Sequence, residues 1–441
     1  MTIFCGAGNN AGDGYVLARL AQRAGFPVRV VALTPSERLA GDALRAYADF
    51  ESSGGRAEGT IGSAALDSDL MVDAILGTGL DRDLEGAYAR AVAAINGAGK
   101  PVLALDIPTG LHADLGMPLG ATIHATVTLT FVGLKLGLYM GEAADYRGRI
   151  EFADLGVPAQ AYAAIEAPVR RLDPGCVRQA LPPRRRIAHK GAHGHVLCVG
   201  GAPGMSGAIR LAAEAALRAG AGLVRVATHP DSVVAVMAGR PEVMCHGVNG
   251  ASELRTLVPG ADAIVLGPGL GRSAWAKKLW NACVDCELPL VIDADGLNLL
   301  AESPRQRHDW LLTPHPGEAA RLLATDLATI QADRIAAVQK LVGRYGGTVV
   351  LKGAGTLVAT EGHHRVSLCD AGNPGMATAG MGDVLAGVLG ALRVQGSDPV
   401  LAAEAGVFLH AQAGDDAARA GERGLLAGDL MPFIRKAVNP A

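Results

Sequence analysis

The sequence predicts an α/β protein built from two parallel-sheet units, and three observations carry that expectation. The 441 residues are 49% hydrophobic but only 4% aromatic, with 59 glycines. The apolar content is therefore mostly Ala, Val and Leu, as in buried parallel strands and small-residue helix packing. Short apolar runs, each followed by a glycine turn and a segment of helical period, recur along the chain. That rhythm lapses between Gly156 and Ala192, where Pro158, Pro168, Pro174, Pro182, Pro183 and the run Arg184, Arg185 and Arg186 stand. A chain of this length exceeds one comfortable core. The expected layout is a first domain over 1–165, a linker over 166–190 with a solvated basic face, and a second domain over 191–441.

Taken in order, Val28–Leu33, Leu70–Leu76, Val102–Asp106 and Ala125–Phe131 read as buried strands of the first domain, with a helix over Tyr15–Ala24 whose apolar face is Val16, Leu17, Leu20, Ala21 and Ala24. After the linker the strands restart at His195–Gly200 and continue through Leu223–Thr228, Ala263–Leu266, Pro289–Asp293, Trp310–Thr313 and Thr348–Lys352. Helices are expected over Ile209–Ala219, stopped by Gly220, over Trp275–Cys286, and from Gly380 onward. The second domain is thus a larger, doubly wound unit, in which ligands collect beyond the carboxyl ends of the strands.

A formal charge of −3 supplies no field to attract nucleic acid or an anionic membrane. Small molecules are the expected partners. No apolar run approaches the roughly eighteen residues of a membrane span, and no charged leader precedes one, so a cytoplasmic protein is expected. The seven cysteines are scattered, and Cys283 and Cys286 fall within a predicted helix rather than at its N-terminus. They read as reduced, inert thiols.

Gly6, Gly8, Asn9, Asn10, Gly12, Asp13 and Gly14 follow a short apolar strand and precede a helix. Glycines there let backbone amides approach a pyrophosphate, and the helix N-terminus adds partial positive charge. Asp73 and Asp106 stand at strand ends, where a carboxylate serves chemistry or caps a turn. With Asn10 and Thr109 they supply hard oxygen ligands suited to a weakly bound cation.

Through "GAGNNAGDG", "DAILGTGL" and "LALDIPTGLHADLG", roughly residues 1–160 resemble the NAD(P)H-hydrate epimerase family. The resemblance implies a Rossmann-like three-layer domain that interconverts the R and S epimers of hydrated NAD(P)H. It implies that Asn9, Asn10, Ala11, Gly12, Asp13, Gly77, Thr78, Gly79, Leu80, Asp81, Arg82, Asp83, Tyr88 and Asp106 contact the substrate. Asn10, Asp73 and Thr109 would hold K⁺, and Asp106 would move the proton. Two departures stand out. The family carries a longer lead-in with a helical segment before the glycine loop, whose absence would uncover apolar sheet surface. Ala11 also replaces a glycine, a strain if its φ is positive. A binding or assembly module is the alternative reading of this domain.

In the second domain "GAHGHVLCVGGAPGMSGA", "VLGPGLG", "DADGLN", "TPHPGE" and "KGAGT" occur in series at predicted strand ends, followed by "GNPGMATAGMGDVLAGVLGAL". Gly380 and Gly382 open a helix whose first-turn amides point outward, and Asp383 sits at its start. An anion hole beside a base is what phosphoryl transfer requires. This order resembles the ribokinase-like superfamily, and within it the NAD(P)H-hydrate dehydratase branch, over about residues 175–436. The resemblance implies that ADP is consumed to dehydrate the S epimer, giving NAD(P)H, AMP and phosphate. It implies that Ala208, Gly269, His315 and Asp383 contact the hydrate, with Asp383 as base. Lys352, Gly353, Ala354, Gly355, Thr356 and Gly382 would contact the nucleotide, and Asp293 and Glu318 would help place Mg²⁺ directly or through water. A homo-oligomer is expected. The competing reading is a kinase of a vitamin-precursor alcohol.

Overall fold

The computed structural model describes residues 1–163 and 165–439. The chain divides into two compact units, Met1–Glu166 and Ala167–Ala441.

The first unit runs β1 (Thr2–Cys5), α1 (Asn9–Arg23), β2 (Arg29–Ala32), α2 (Gly41–Ser52), β3 (Ala57–Glu58), α3 (Ser63–Leu66), β4 (Met71–Ala74), α4 (Gly86–Gly97), β5 (Val102–Leu105), β6 (Val127–Phe131), β7 (Arg149–Ala153) and α5 (Ala159–Ala163). Its sheet has seven strands in the order β3-β2-β1-β4-β5-β6-β7, every pairing parallel. Alternation decides which side chain faces which layer. Ile3, Cys5, Val30 and Val72 pack with Tyr15 of α1 and Phe50 of α2 on one face. Phe4, Val31 and Met71 pack with Ala91, Val92 and Ile95 of α4 on the other. Two covered faces explain why these strands are continuously apolar. The cover thins toward one edge, where Leu103 of β5 and Val127, Leu129 and Phe131 of β6 are only half-buried.

Here the helix begins at Asn9, six residues before the expected start, so the asparagine-glycine motif forms the first turns of α1 rather than a preceding loop. Glycine is a poor helix former, but packing overrides propensity at this position. A Cβ on Gly14 would lie 2.6 Å from the Ala74 Cβ and 2.8 Å from the Cys5 Sγ, so only glycine lets α1 sit this close to β1 and β4. Ala11 is helical and fully buried. The expected strain there does not arise.

The second unit runs β8 (Val169–Arg171), α6 (Gly175–Ala180), β9 (His195–Val199), α7 (Ser206–Arg218), β10 (Leu223–Thr228), α8 (Val233–Gly239), β11 (Met244–Gly247), α9 (Ala251–Leu257), β12 (Ala263–Leu266), α10 (Ala274–Val284), β13 (Leu290–Ile292), α11 (Asp295–Glu302) and β14 (Leu311–Leu312). It continues with α12 (Pro316–Leu323), α13 (Leu327–Ala332), α14 (Arg334–Tyr345), β15 (Thr348–Leu351), β16 (Thr356–Thr360), β17 (Val366–Cys369), α15 (Met381–Val394), α16 (Pro399–Ala418) and α17 (Leu430–Ala437). The ten strands order as β11-β10-β9-β12-β13-β14-β15-β16-β17-β8. Pairing is parallel except where β16 runs antiparallel to β15 and β17.

Residues 166–190, expected as linker, instead add β8 to the far edge of this sheet beside β17 and α6 to its core. The buried α15 packs its small residues against α7. A Cβ on Gly387 would strike the Ala212 carbonyl oxygen at 2.0 Å, which fixes the close approach of the two helices. The Cys283 thiol is buried, and burial pushes its pKa far up, so the CxxC pair has no redox-poised member at that position.

Candidate active sites

In the first unit the carboxyl ends of β4 and β5 and the N-terminus of α1 border an open cavity of about 870 Å³. Gly8, Asn9, Asn10 and Asp13 line it from α1, Gly77, Thr78, Gly79, Leu80, Asp81, Arg82 and Asp83 from the loop after β4, and Tyr88 and Asp106 complete it. Ala11 and Gly12, also expected there, do not line it. Both are buried in α1, and a Cβ on Gly12 would lie 3.1 Å from Ala43 of α2. The helical turn explains the division: positions 9, 10 and 13 share one face and 11 and 12 another.

Behind the cavity, the Asp73 carboxylate is fully buried and accepts from the Thr109 amide at 2.8 Å, the Thr109 hydroxyl at 2.7 Å and the Ile75 amide at 3.2 Å. Burial pushes its pKa up to about 6 against those hydrogen bonds. The Asn10 Nδ2 donates to the Leu76 carbonyl at 3.0 Å, while its Oδ1 is buried without a partner. Tyr88 is held by a 2.6 Å hydrogen bond to the Thr34 hydroxyl.

Asp106 adopts a positive φ of 67°, an uncommon conformation for a residue with a Cβ and one that clusters at functional sites. Its carboxylate pairs with Lys135 and accepts from the Phe131 amide at 3.3 Å. Burial, then the charge of Asp106, raises the Asp13 pKa, with Lys135 opposing. Asp13 and Asp106 thus meet at one corner of the cavity, with Lys135 paired to Asp106 beside it. Lys135 was not legible in sequence, because it lies outside every glycine motif.

In the second unit a buried cluster forms where β13, β15 and the starts of α12 and α15 meet. The Lys352 Nζ donates to Asp293 Oδ1 at 2.7 Å and lies 3.8 Å from Glu318. Thr313 Oγ1 also donates to Asp293 at 2.7 Å. Burial alone would lower the Lys352 pKa, but Asp293 and Glu318 outweigh it and hold the ammonium charged. Burial, followed by the charges of Asp293, Asp295 and Glu318 and opposed by Lys352, pushes the Asp383 carboxyl up to about 7. Glu318 is likewise pushed up to about 7, chiefly by burial. The cluster thus carries fewer negative charges at neutral pH than its carboxyl count suggests.

Asp383 sits in the first turn of α15, whose N-cap Gly380 has φ 91°. A Cβ on Gly382 would stand 3.2 Å from the Lys352 Nζ, so the missing side chain lets this helix start approach the lysine. Gly269 has φ 59° and abuts Ala208, whose Cβ would be 3.2 Å from one built on the glycine. The neighbouring Gly271 amide donates to Asp295 at 2.7 Å. Ala294, between the two aspartates, has φ 49°, a second strained non-glycine residue at a strand end. Gly353, Ala354 and Gly355 lie in the turn between β15 and β16, Thr356 opens β16, and all four are exposed or half-buried.

Two expected site residues are engaged differently from their sequence reading. The His315 Nδ1 accepts from the Gly317 and Glu318 amides, and Glu318 accepts from the His315 amide at 2.8 Å, a reciprocal cap that fixes the start of α12. The other ring nitrogen, Nε2, lies 3.5 Å from the Glu318 Oε1. Burial, with Lys352 nearby, lowers the histidine pKa. Asp293 is already committed to Lys352 and Thr313, and among the described residues no group of three or more His, Cys, Asp or Glu side chains is arranged to hold a metal ion.

The fold and this site define a ribokinase-like α/β enzyme domain joined to a second, seven-stranded parallel domain. Comparison with known proteins agrees. The family model described as NAD(P)H-hydrate dehydratase matches residues 196–436, and that described as YjeF-related protein N-terminus matches residues 1–137. The chain is 48% identical to the bifunctional NAD(P)H-hydrate repair enzyme of Coxiella burnetii over all of this chain and 90% of that one. To its Escherichia coli counterpart it is 44% identical, over 99% of this chain and 85% of the other. The ADP/ATP-dependent NAD(P)H-hydrate dehydratase of Bacillus subtilis, co-crystallised with ATP and Mg²⁺, superposes with a TM-score of 0.55 at 26% identity, covering 60% of this chain and 96% of that one. A ribokinase-like protein from Enterococcus faecalis gives a TM-score of 0.58 at 28% identity over 62% and 96% of the two chains. The chain belongs to the bifunctional NAD(P)H-hydrate repair enzyme family.

Proposed function

We propose that the second unit dehydrates the S epimer of NADHX or NADPHX at the expense of ADP, and that the first unit interconverts the R and S epimers. The observation that carries the first assignment is Asp383, a carboxyl pushed up to about 7 at a glycine-opened helix N-terminus beside the half-buried Lys352. Such a base is poised near neutral pH, and the helix start and ammonium stabilise the charge on a moving phosphoryl group.

In this reading Asp383 accepts the proton of the C6 hydroxyl as its oxygen attacks the β-phosphorus of ADP and AMP departs. The C6–O bond then breaks, phosphate leaves with the bonding pair, and the ring-nitrogen lone pair compensates. Loss of a C5 proton restores the dihydronicotinamide. Lys352, Gly353, Ala354, Gly355, Thr356 and Gly382 hold the nucleotide, while Ala208, Gly269 and His315 bound the hydrate. Mg²⁺, when bound, neutralises phosphate charge. With no preassembled carboxylate cage among the described residues, it would be held chiefly by the phosphates, with Asp293 and Glu318 reaching it directly or through water.

In the first unit Asp106, fixed by Lys135, moves the proton during epimerisation, and Asn9, Asn10, Asp13, the 77–83 loop and Tyr88 bound the substrate. Asn10, whose Oδ1 is unpartnered, and Thr109 both bond the Leu76 carbonyl, and Thr109 bonds Asp73; this oxygen set fits a K⁺ ion, which would supply a fixed positive charge behind the loop. The deciding assay supplies purified protein with ADP, Mg²⁺ and NADHX and follows absorbance at 340 nm. Regeneration of absorbance supports the assignment. No gain, with vigorous phosphorylation of a pyrimidine alcohol, would overturn it in favour of a vitamin-precursor kinase.

A further inference from the structure

We propose that Arg334 is a positioning residue of the nucleotide site, drawing the carbonyl groups of the turn after β15 inward so that its amides stand ready for phosphate. The inference rests on the reading that this turn binds the nucleotide. Arg334 opens α14 and is 6% exposed. Its Nη2 donates to the carbonyl oxygens of Leu351 at 3.3 Å, Lys352 at 3.4 Å and Gly355 at 3.1 Å. No carboxylate among the described residues forms an ion pair with it, and its Nε is buried without a partner.

An arginine buried without an anion is costly, and natural proteins keep such a charge when something compensates it. Here three carbonyl dipoles compensate it in part, one at the end of β15 and two in the turn that follows. Their capture from behind has a consequence in front. Among the described residues, the amides of Gly353, Ala354 and Gly355 donate to no backbone or side-chain acceptor, and Gly353 and Ala354 are exposed. Successive free amides in a turn with positive φ make an anion-binding concavity, and Gly353 and Gly355 have φ of 139° and 67°. The guanidinium behind them adds positive potential on the phosphate side. A Cβ on Gly353 would lie 2.6 Å from Arg334 Nη1, so the glycine and the arginine are fitted to each other. Burial lowers the Arg334 pKa to about 10, still high enough to keep it charged at neutral pH.

The test compares the full-length protein with Arg334→Gln, Arg334→Lys and Gly353→Ala, measuring KM for ADP, KM for NADHX, kcat at saturation, and ADP binding by titration calorimetry. Arg334→Gln should raise KM for ADP about ten- to hundredfold, the loss of a charge-assisted hydrogen-bond set. KM for NADHX and kcat should change little, the pattern of lost nucleotide binding rather than lost chemistry. Arg334→Lys should recover part of the affinity, since an ammonium keeps the charge but cannot span three carbonyls. Gly353→Ala, whose methyl would stand against the Arg334 guanidinium, should weaken ADP by displacing the same turn. Should Arg334→Gln fail to fold, the lysine and alanine variants carry the test. An unchanged KM for ADP in both, or an equal loss for ADP and NADHX, overturns the positioning role. A wild-type protein that regenerates NADH but binds no ADP overturns this role and the nucleotide reading together, leaving the repair activity standing.

Discussion

Asp383 owes its properties to neighbours that sequence spacing does not reveal. Its helix start and glycines are local, and so legible, but Lys352 and Asp293 meet across 59 positions of sequence, and only the parallel order of β13 to β15 brings them together. Replacing Asp383 by Asn should lower kcat for dehydration by about 10²–10⁴-fold, the range for a lost general base, with the melting temperature raised or unchanged, since a buried charge is removed. A kcat within threefold of wild type would remove Asp383 from the mechanism. The raised carboxyl sets a pH expectation. Asp383 is protonated below about pH 7 and cannot then act as base, so kcat should climb as pH rises through that value. Glu318 is among the charges that raise it, hence Glu318→Gln should move the acid limb of the profile to lower pH. Movement in the opposite direction would show that Glu318 supports the base by another route. Lys135 and Arg334 escaped the sequence reading for one physical reason. Each acts by touching a motif from another element, and an isolated Lys or Arg carries no periodic or spacing signal of its own.

At the scale of elements, apolar runs located β2, β4, β5, β6, β9, β10, β12, β13, β14 and β15 to within a residue or two of the observed spans, because strands buried on both faces must be apolar throughout. The short edge strands β3, β8 and β11 lack that signal. In β11 and β8 no residue is fully buried, so neither stands out from loop. The opening of α1 was misread because its glycines were taken as a loop that brings amides to a pyrophosphate, when Gly12 and Gly14 are packing requirements of the helix. The opening of α15 was read correctly because Gly380 does break the pattern, at φ 91°. Gly380→Ala should therefore destabilise the second unit by about 1–2 kcal/mol from the left-handed backbone alone. The loss should be larger if Leu211 cannot move, since its Cδ1 would lie 2.7 Å from the new methyl. Urea denaturation reads this directly, and an unchanged midpoint would argue that the helix start shifts to relieve the strain.

For the whole molecule, two units with separate cores predict separable chemistry. Asp383→Ala should abolish dehydration while R and S epimers still exchange, and Asp106→Ala should do the reverse with purified S epimer. Loss of both activities from either single substitution would contradict this division of labour. That both faces of most of the first sheet are covered favours a catalytic domain over a bare assembly module, and the open cleft of about 870 Å³ at its strand ends points the same way. By itself the sequence determined the α/β class, the two units, and the order of glycine motifs at strand ends, because hydrophobic period and turn chemistry are local and survive in one dimension. Tertiary structure alone decided that residues 166–190 belong to the second sheet, that Ala11 and Gly12 face the core while Asn9, Asn10 and Asp13 face the cavity, and that Lys352 is shared by Asp293 and Glu318. Those outcomes depend on which elements become neighbours and on the low dielectric their packing creates, and neither is written at any single position of the chain.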